Sequence, residues 1–183
     1  MKKLSILIFV LVAQVGFSQS SNEIITRQGL VSFFSYTSVE NIEATNRVVR
    51  SKLNLSTHKI QVGMLMTAFE FKKALMQEHF NESYVESDLY PRLTFLGEVQ
   101  GLEDITETTQ VKIAKGKMNF HGVEKEVEVK TKIQEIDSKY VFSGDFEVNI
   151  DDYNIKVPKL LAPNISKTIK INFRFEYDPN EEK

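Results

Sequence analysis

The chain has 183 residues, 42% of them hydrophobic and 26% charged, the balance of one ordinary globular domain or two small ones, and not that of a disordered chain. Its 23 Lys+Arg against 25 Asp+Glu leave a net charge of −2, which excludes the generally basic surface that binds nucleic acid through counterion release. Cysteine is absent, so there is no disulfide framework, thiol catalysis, zinc–thiolate site or cysteine-linked lipid.

Residues 1–18 carry the parts of a secretory signal. Lys2 and Lys3 form a basic start, Leu4 to Val15 is an apolar run interrupted by Ser5 and Gln14, and Gly16 and Ser18 put small residues before Gln19. The expectation is cleavage between Ser18 and Gln19, with residues 19–183 forming one periplasmic or secreted domain. The apolar run falls short of the roughly 20 residues that cross a bilayer, so no stable membrane span is expected. Outside the cytoplasm there is no ATP, and the chain has no Gly-rich phosphate loop. Both points argue against a kinase or ATPase.

Period-two alternation, the mark of strands with one buried face, runs through most of the remainder. Leu30 to Tyr36 is apolar at both parities, so its inward face is not set by pattern. Leu53 and Leu55 form a short set, followed by Ile60, Val62, Met64 and Met66. Ala68 to Ser87 breaks the pattern: it is rich in helix formers, with Phe71, Ala74, Leu75 and Glu78 on one helical face and Phe69, Met76 and Phe80 on others. A helix with apolar residues on several faces belongs in a mouth or against a barrel, and Asn81 is expected to interrupt it. Leu93, Phe95 and Val99 follow Pro91, and Gly101 to Thr109 reads as an acidic loop. Val111 and Ile113 then change phase to Met118 and Phe120, which predicts a bulge around Ala114–Gly116.

A turn at His121-Gly122 precedes Val127, Val129 and Ile133, and a turn at Asp137-Ser138 precedes Tyr140, Phe142, Phe146, Val148 and Ile150. Asp151-Asp152 is read as a turn signal before Tyr153, since adjacent carboxylates on an extended chain point apart. The cleanest strand is the last, where Ile169, Ile171, Phe173, Phe175 and Tyr177 alternate with Lys170, Asn172, Arg174 and Glu176. About eight strands at short spacing, with almost no helix between them, indicate an all-β antiparallel barrel or sandwich.

Catalytic signals are missing. The three histidines, His58, His79 and His121, form no two-histidine ligand spacing. No Gly-x-Ser-x-Gly elbow or calcium loop is present. The sequence therefore predicts neither enzyme, metal nor cofactor. Its positive feature is a surplus of large flexible apolar side chains: all 13 Phe except Phe9 and Phe17, with Met64, Met66, Met76 and Met118. Such residues fill a core, or they line the interior of an eight-stranded barrel, which either packs solid or holds one small ligand.

Three stretches together resemble the YceI-like family of exported lipid- or polyisoprenoid-binding proteins. Tyr90-Pro91-Arg92-Leu93-Thr94-Phe95 is similar to the family's Tyr-Pro-x-x-x-Phe strand opening. Gly116-Lys117-Met118-Asn119-Phe120-His121-Gly122-Val123-Glu124-Lys125-Glu126-Val127 is similar to its Gly-x-Leu-x-x-His-Gly-Val-x-Lys-x-Val hairpin. Phe142 to Pro158, with Phe146, Asp152-Tyr153 and Pro158, is similar to its late segment. Ala74 to Glu82 looks like a variant of Bacteroidetes-type members. The likeness spans about residues 28–177. The chain departs from the family's opening tryptophan and Asp-x-x-His-Ser stretch, having Thr26-Arg27-Gln28-Gly29-Leu30-Val31-Ser32-Phe33 there, and Ile42 to Asn46 stands where a Gly-x-Phe region is usual.

The resemblance implies a lipocalin-like antiparallel eight-stranded β-barrel with a short helical segment near one end, and a long-chain isoprenoid or other lipid held inside. The inward parities and the helical segment then nominate Met64, Met66, Phe69, Phe71, Leu75, Phe95, Met118, Phe120, Phe142, Phe146, Phe173 and Phe175 as lining residues, with His79 or Asn81 meeting a polar head. Two readings stand: an exported lipid carrier or sequestering protein, and a filled barrel acting as an interaction module of the envelope. An edge strand near Pro158–Pro163 could pair with a second copy to give a homodimer.

Overall fold

The computed structural model describes residues 22–37, 40–157 and 166–180. The expected signal segment and the proposed edge strand near Pro158–Pro163 lie outside these residues. Among the described residues nine strands form: β1 (Glu23–Ser35), β2 (Ile42–Asn54), β3 (Lys59–Leu65), β4 (Glu70–Phe71), β5 (Arg92–Gln100), β6 (Gln110–Phe120), β7 (Val123–Ile136), β8 (Lys139–Asn149) and β9 (Thr168–Tyr177). Eight of them pair antiparallel in the order β1-β9-β8-β7-β6-β5-β3-β2, and β2 pairs back onto β1 to close the barrel. Closure leaves no open edge among these strands. The two-residue β4 adds to β2 beyond the end of β3, Ala44 facing Phe71.

The first strand explains its own ambiguous pattern. Ile24 and Thr26 point inward, Arg27 and Gln28 are both exposed, and Gly29, Val31, Phe33 and Ser35 point inward after them. The register with β2 shifts on either side of Gly29. One extra residue in β1 and one in β2, where Arg47 and Val48 are both exposed, flip the inward parity halfway along each strand. Such bulges bend strands at a barrel corner. The second is held by Asn46, fully buried, whose side-chain oxygen accepts from the Val48 N–H at 3.1 Å and whose amide donates to the Leu65 carbonyl at 2.9 Å.

The bulge expected around Ala114–Gly116 does not form. β6 pairs in unbroken register with both neighbours. Ala114, Gly116, Met118 and Phe120 keep one inward parity, and Val111 and Ile113 lie on the outer face. The apparent change of phase came from apolar residues on a solvent face and a glycine on the inner one.

Two turns form where expected. His121 and Gly122 both have positive φ (51° and 73°), as do Asp137 and Ser138 (51° and 62°), the geometry of a two-residue hairpin. Asp151 and Asp152 fall in a 3-10 turn over Ile150–Tyr153, capped by the Asn149 side chain accepting from the Asp151 N–H. The helical segment is shorter than the pattern predicts. A 3-10 turn at Met66–Ala68 and β4 come first, and α1 spans Ala74–His79. The α-helix gives way after His79 to a wider π-type turn over Phe80–Tyr84 that contains Asn81, with the Asn81 amide donating to the Gln77 carbonyl at 2.9 Å.

Strand directions sort the connections by end. The hairpin after β2, the acidic loop after β5, the Asp137-Ser138 turn and the end of β9 lie at one end. There Leu53, Val99, Ile133, Phe142 and Tyr177 are fully buried and meet across the barrel. Phe142 and Tyr177 meet edge to face at 5.4 Å. The Tyr177 hydroxyl lies 2.6 Å from Ser51 Oγ, which itself donates to the Gln61 carbonyl. All the helical turns lie at the opposite end.

Candidate functional site

Above the sealed floor the interior is not filled. A cavity of about 610 Å3 runs from the middle of the barrel to the helical end, within the range of about 300–1,000 Å3 typical of small-molecule sites. Inward side chains of β1, β3, β5, β6, β7, β8 and β9 make its wall, with Val31, Ile60, Val62, Leu93, Val127, Val148 and Ile171 among them. The wall is almost wholly apolar, and among the described residues no lysine or arginine lines it.

Glycines make room in that wall. Gly97 and Gly116 face each other across β5 and β6, and a Cβ on Gly97 would lie 2.5 Å from the Lys115 carbonyl oxygen and 2.6 Å from Cζ of Phe95. The Phe95 ring therefore lies back over Gly97. Phe175 and Phe173 do the same over Gly29 and Gly144, their rings 2.6 and 2.8 Å from where a Cβ would stand. Rings folded onto the sheet occupy wall and not lumen.

An aromatic cluster seats the helical segment on the mouth. Phe33 of β1 contacts Phe69, Phe71 and Phe80 at centroid distances of 5.4, 5.7 and 5.5 Å, and Phe80 contacts Phe69 and Phe71 in turn. Such pairs add about 0.5–1.5 kcal/mol each beyond area burial. Outside the cluster, Lys72 meets Glu43 at 3.2 Å and Lys73 meets Glu40 at 2.6 Å. Leu75 is 60% exposed and yet lines the cavity, as do Met76, His79, Thr37 and Glu40, which mark the opening.

Eleven of the twelve side chains nominated from sequence lie on this cavity: Met64, Met66, Phe69, Phe71, Leu75 and Phe95 in the first half of the chain, Met118, Phe120, Phe146, Phe173 and Phe175 in the second. Phe142 does not; the parity is right, but it stands one layer too deep and packs in the floor against Tyr177. His79 lines the mouth. Asn81 does not reach it, because its amide is turned back onto the helix. Val31, Phe33, Phe80 and Tyr84 line the cavity without having been nominated. The exposed pair Arg27-Gln28 was the signal for the first two, since it marks the parity flip in β1.

His121 is more than a turn residue. It is buried, donates from Nδ1 to the Tyr153 carbonyl at 2.9 Å, and sets Nε2 3.0 Å from the Glu86 carboxylate. Its ring lies 4.3 Å from that of Tyr90. It thus fastens the end of the helical segment to the β6–β7 turn and to the 3-10 turn after β8. Burial pushes the Tyr84 phenol up from its ordinary value, and burial followed by the Asp152 carboxylate does the same for Tyr153. Among the described residues no three His, Asp or Glu side chains converge as a metal site, and no helix is long and apolar enough to cross a membrane.

A family profile described as a YceI-like domain matches residues 17–177. No curated protein matches the chain. Solved structures do. A polyisoprenoid binding domain from Saccharophagus degradans, implicated in plant cell wall breakdown, aligns with a TM-score of 0.73 at 13% identity over 86% of this chain and 98% of its own. BcnA from Burkholderia cenocepacia aligns with a TM-score of 0.69 at 13% identity, covering 81% of this chain and 95% of its own. The YCEI protein of Campylobacter jejuni aligns at 0.57 and 15% identity over the whole of both chains. At these identities the likeness is one of fold.

Proposed function

The chain belongs to the YceI-like domain family, and on that premise we propose that it binds a polyisoprenoid or similar long-chain lipid in the barrel interior, as an exported carrier or sequestering protein. The observation that carries this reading is the apolar cavity of about 610 Å3, closed at the Tyr177 end and open at the helical end. A filled barrel would have side chains where this cavity lies. The structural relative from Saccharophagus degradans, described as polyisoprenoid binding, supports the choice of cargo. Each CH2 group brought out of water contributes about 0.8 kcal/mol, so a long chain needs little besides an apolar channel. Carriage requires no catalytic residue.

The Lys2-Lys3 start and the apolar run to Val15 support cleavage near Ser18/Gln19 and work in the periplasm or outside the cell. The Ala74–Glu82 stretch supports a place among Bacteroidetes-type members. The eleven lining residues nominated from sequence, with His79 at the mouth, are the proposed ligand contacts.

The test is to purify the mature protein from its native envelope, extract it with organic solvent and identify the extract by mass spectrometry. One isoprenoid-type lipid near equimolar amount is the expected result. An extract no richer than that of a non-binding control protein sinks the reading. Met66→Asp and Phe95→Asp place a charge on the wall and should empty the barrel; either variant folding normally with full lipid occupancy counts equally against it.

A further inference from the structure

The outer face of β2, β3 and β5 differs from its neighbour. Across β6 and β7 cations and carboxylates meet in pairs, Lys115 with Glu128 and Lys117 with Glu124, both at 2.8 Å. Arg47, Arg50 and Arg92 are exposed, and none of them has an acidic partner among the described residues. The three stand close together. The β2 bulge turns both Arg47 and Val48 outward, and the Asn46 amide that holds it reaches the Leu65 carbonyl, which puts the bulge beside Leu65. Leu65 lies opposite Arg92. Two residues further from the mouth Arg50, Gly63 and Thr94 form a row, followed by Lys52, Gln61 and Leu96.

These rows hold no Asp or Glu, although the whole chain is net negative at −2. Lys52 is paired with Glu23 at 2.9 Å. The carboxylates at the margins are Glu43, which is taken by Lys72, Glu70 opposite Thr45 and Glu98 opposite Lys59. Adjacent strands lie about 4.8 Å apart and alternate residues about 6.8 Å apart along a strand, so the rows cover about 10 by 14 Å. That is close to the Debye length of about 10 Å at 0.1 M salt, and the arginines act on a partner together. Apolar side chains stand between them: Val48 and Leu96 are each 56% exposed and Leu65 43%. Single exposed apolar residues are ordinary. Grouped with unpaired cations, they make the kind of surface that enters a head-group layer.

We propose that this face docks the protein on an anionic lipid bilayer, with the three arginines on phosphates and Val48, Leu65 and Leu96 among the head groups. The guanidinium fork matches phosphate oxygens. Gly63, in the middle of the face, has open space where a side chain would stand, so nothing there holds a flat partner away. Leu65 and Arg92 are at the mouth end of their strands, and the next residues, Met66 and Leu93, line the cavity. Docking therefore brings the opening to the surface that supplies cargo. The choice of a bilayer over an acidic protein rests on the lipid-carrier reading; the face itself does not.

Vesicle flotation of the mature protein tests this, with equal parts phosphatidylglycerol and phosphatidylcholine against phosphatidylcholine alone, at about 0.1 M salt and above. Wild type should float with the mixed vesicles, stay below the neutral ones, and be released by added salt. Arg47→Gln, Arg50→Gln and Arg92→Gln should each weaken binding about fivefold, and the triple variant should not float. Lys130→Gln, Lys132→Gln and Lys139→Gln together remove as much charge from exposed positions on β7 and β8, and that variant should float like wild type. Leu65→Ser with Leu96→Ser should weaken binding at every salt concentration. All these positions are exposed, so each variant should melt with wild type. No flotation with the mixed vesicles, equal flotation with the neutral ones, or equal losses in the arginine and lysine variants overturns the docking face. If docking fails while the solvent extract still holds an isoprenoid, the carrier reading stands; an empty extract from a protein that floats removes the cargo and leaves the docking face.

Discussion

The two ends of this barrel are built from the same strands and the same kinds of side chain, yet one is solid and the other hollow. At the floor Leu53, Val99, Ile133, Phe142 and Tyr177 converge and are fully buried. Above it Phe95, Phe173 and Phe175 obey the same inward alternation but lie back over Gly97, Gly144 and Gly29. The difference is not in hydrophobicity or parity. It lies in whether the neighbour across the pleat has a side chain. A glycine lets a ring drop against the backbone, and the lumen stays open.

The sharpest way to break this comparison is to truncate one ring at each end. Phe142→Ala should leave a sealed void and cost about 3–5 kcal/mol by denaturant melting. Phe173→Ala only enlarges a cavity that is already present, and should cost clearly less. Equal losses would mean that the upper wall is packed as tightly as the floor.

Next in size is Gly97→Ala. Its Cβ would meet both the Lys115 carbonyl and the Phe95 ring, so the strand or the ring must move, with an expected loss of about 1–3 kcal/mol. If the ring is what moves, it swings into the lumen, and lipid occupancy should fall alongside stability.

Tyr177→Phe is a gentler probe of the floor. It removes the hydrogen bond to Ser51, worth about 1 kcal/mol. Ser51 keeps its bond to the Gln61 carbonyl. Burial holds the Tyr177 phenol far above its ordinary value, the bond to Ser51 opposing this in part. The unfolded phenol ionises near about pH 10. The raised folded-state value therefore contributes stability that is intact below that pH and is lost as pH rises above it. Alkaline melts should show wild type losing stability above about pH 10 and Tyr177→Phe losing less, with a residue of the effect from Tyr84 and Tyr153.

The smallest effect belongs to the mouth. Lys72→Ala and Lys73→Ala remove exposed ion pairs with Glu43 and Glu40, and each should shift stability by no more than about 1 kcal/mol. What they should change is salt sensitivity: the wild type's ligand exchange should quicken with added salt and the double variant's should not.

Most of the barrel could be read from alternation, because inner and outer faces differ so cleanly in β7 and β9. β1 could not, since the bulge beside Gly29 uses both parities in one strand. Ala114–Gly116 misled in the other direction, because Val111 is a large apolar residue facing solvent. Residues on the cavity were legible as a class, but depth was not. Pattern gives the face of a strand and says nothing about the layer, which is why Phe142 was placed with Phe146 when the two stand on either side of the boundary between core and lumen. Asn81 looked like a helix breaker with a free amide, and only its bond to the Gln77 carbonyl shows that the amide is engaged.

Among the described residues a barrel stopped at the Tyr177 end opens at its helical end, and that makes exchange a matter of sequence in time. A chain that slides in tail first must leave head first, and every methylene still inside has to be drawn back through the same opening. At about 0.8 kcal/mol for each methylene, residence time grows roughly fourfold per group withdrawn into water. Spontaneous release of a long cargo would then be too slow to matter, and delivery would depend on an acceptor that takes the chain as it emerges. Length, more than the head, would set the clock.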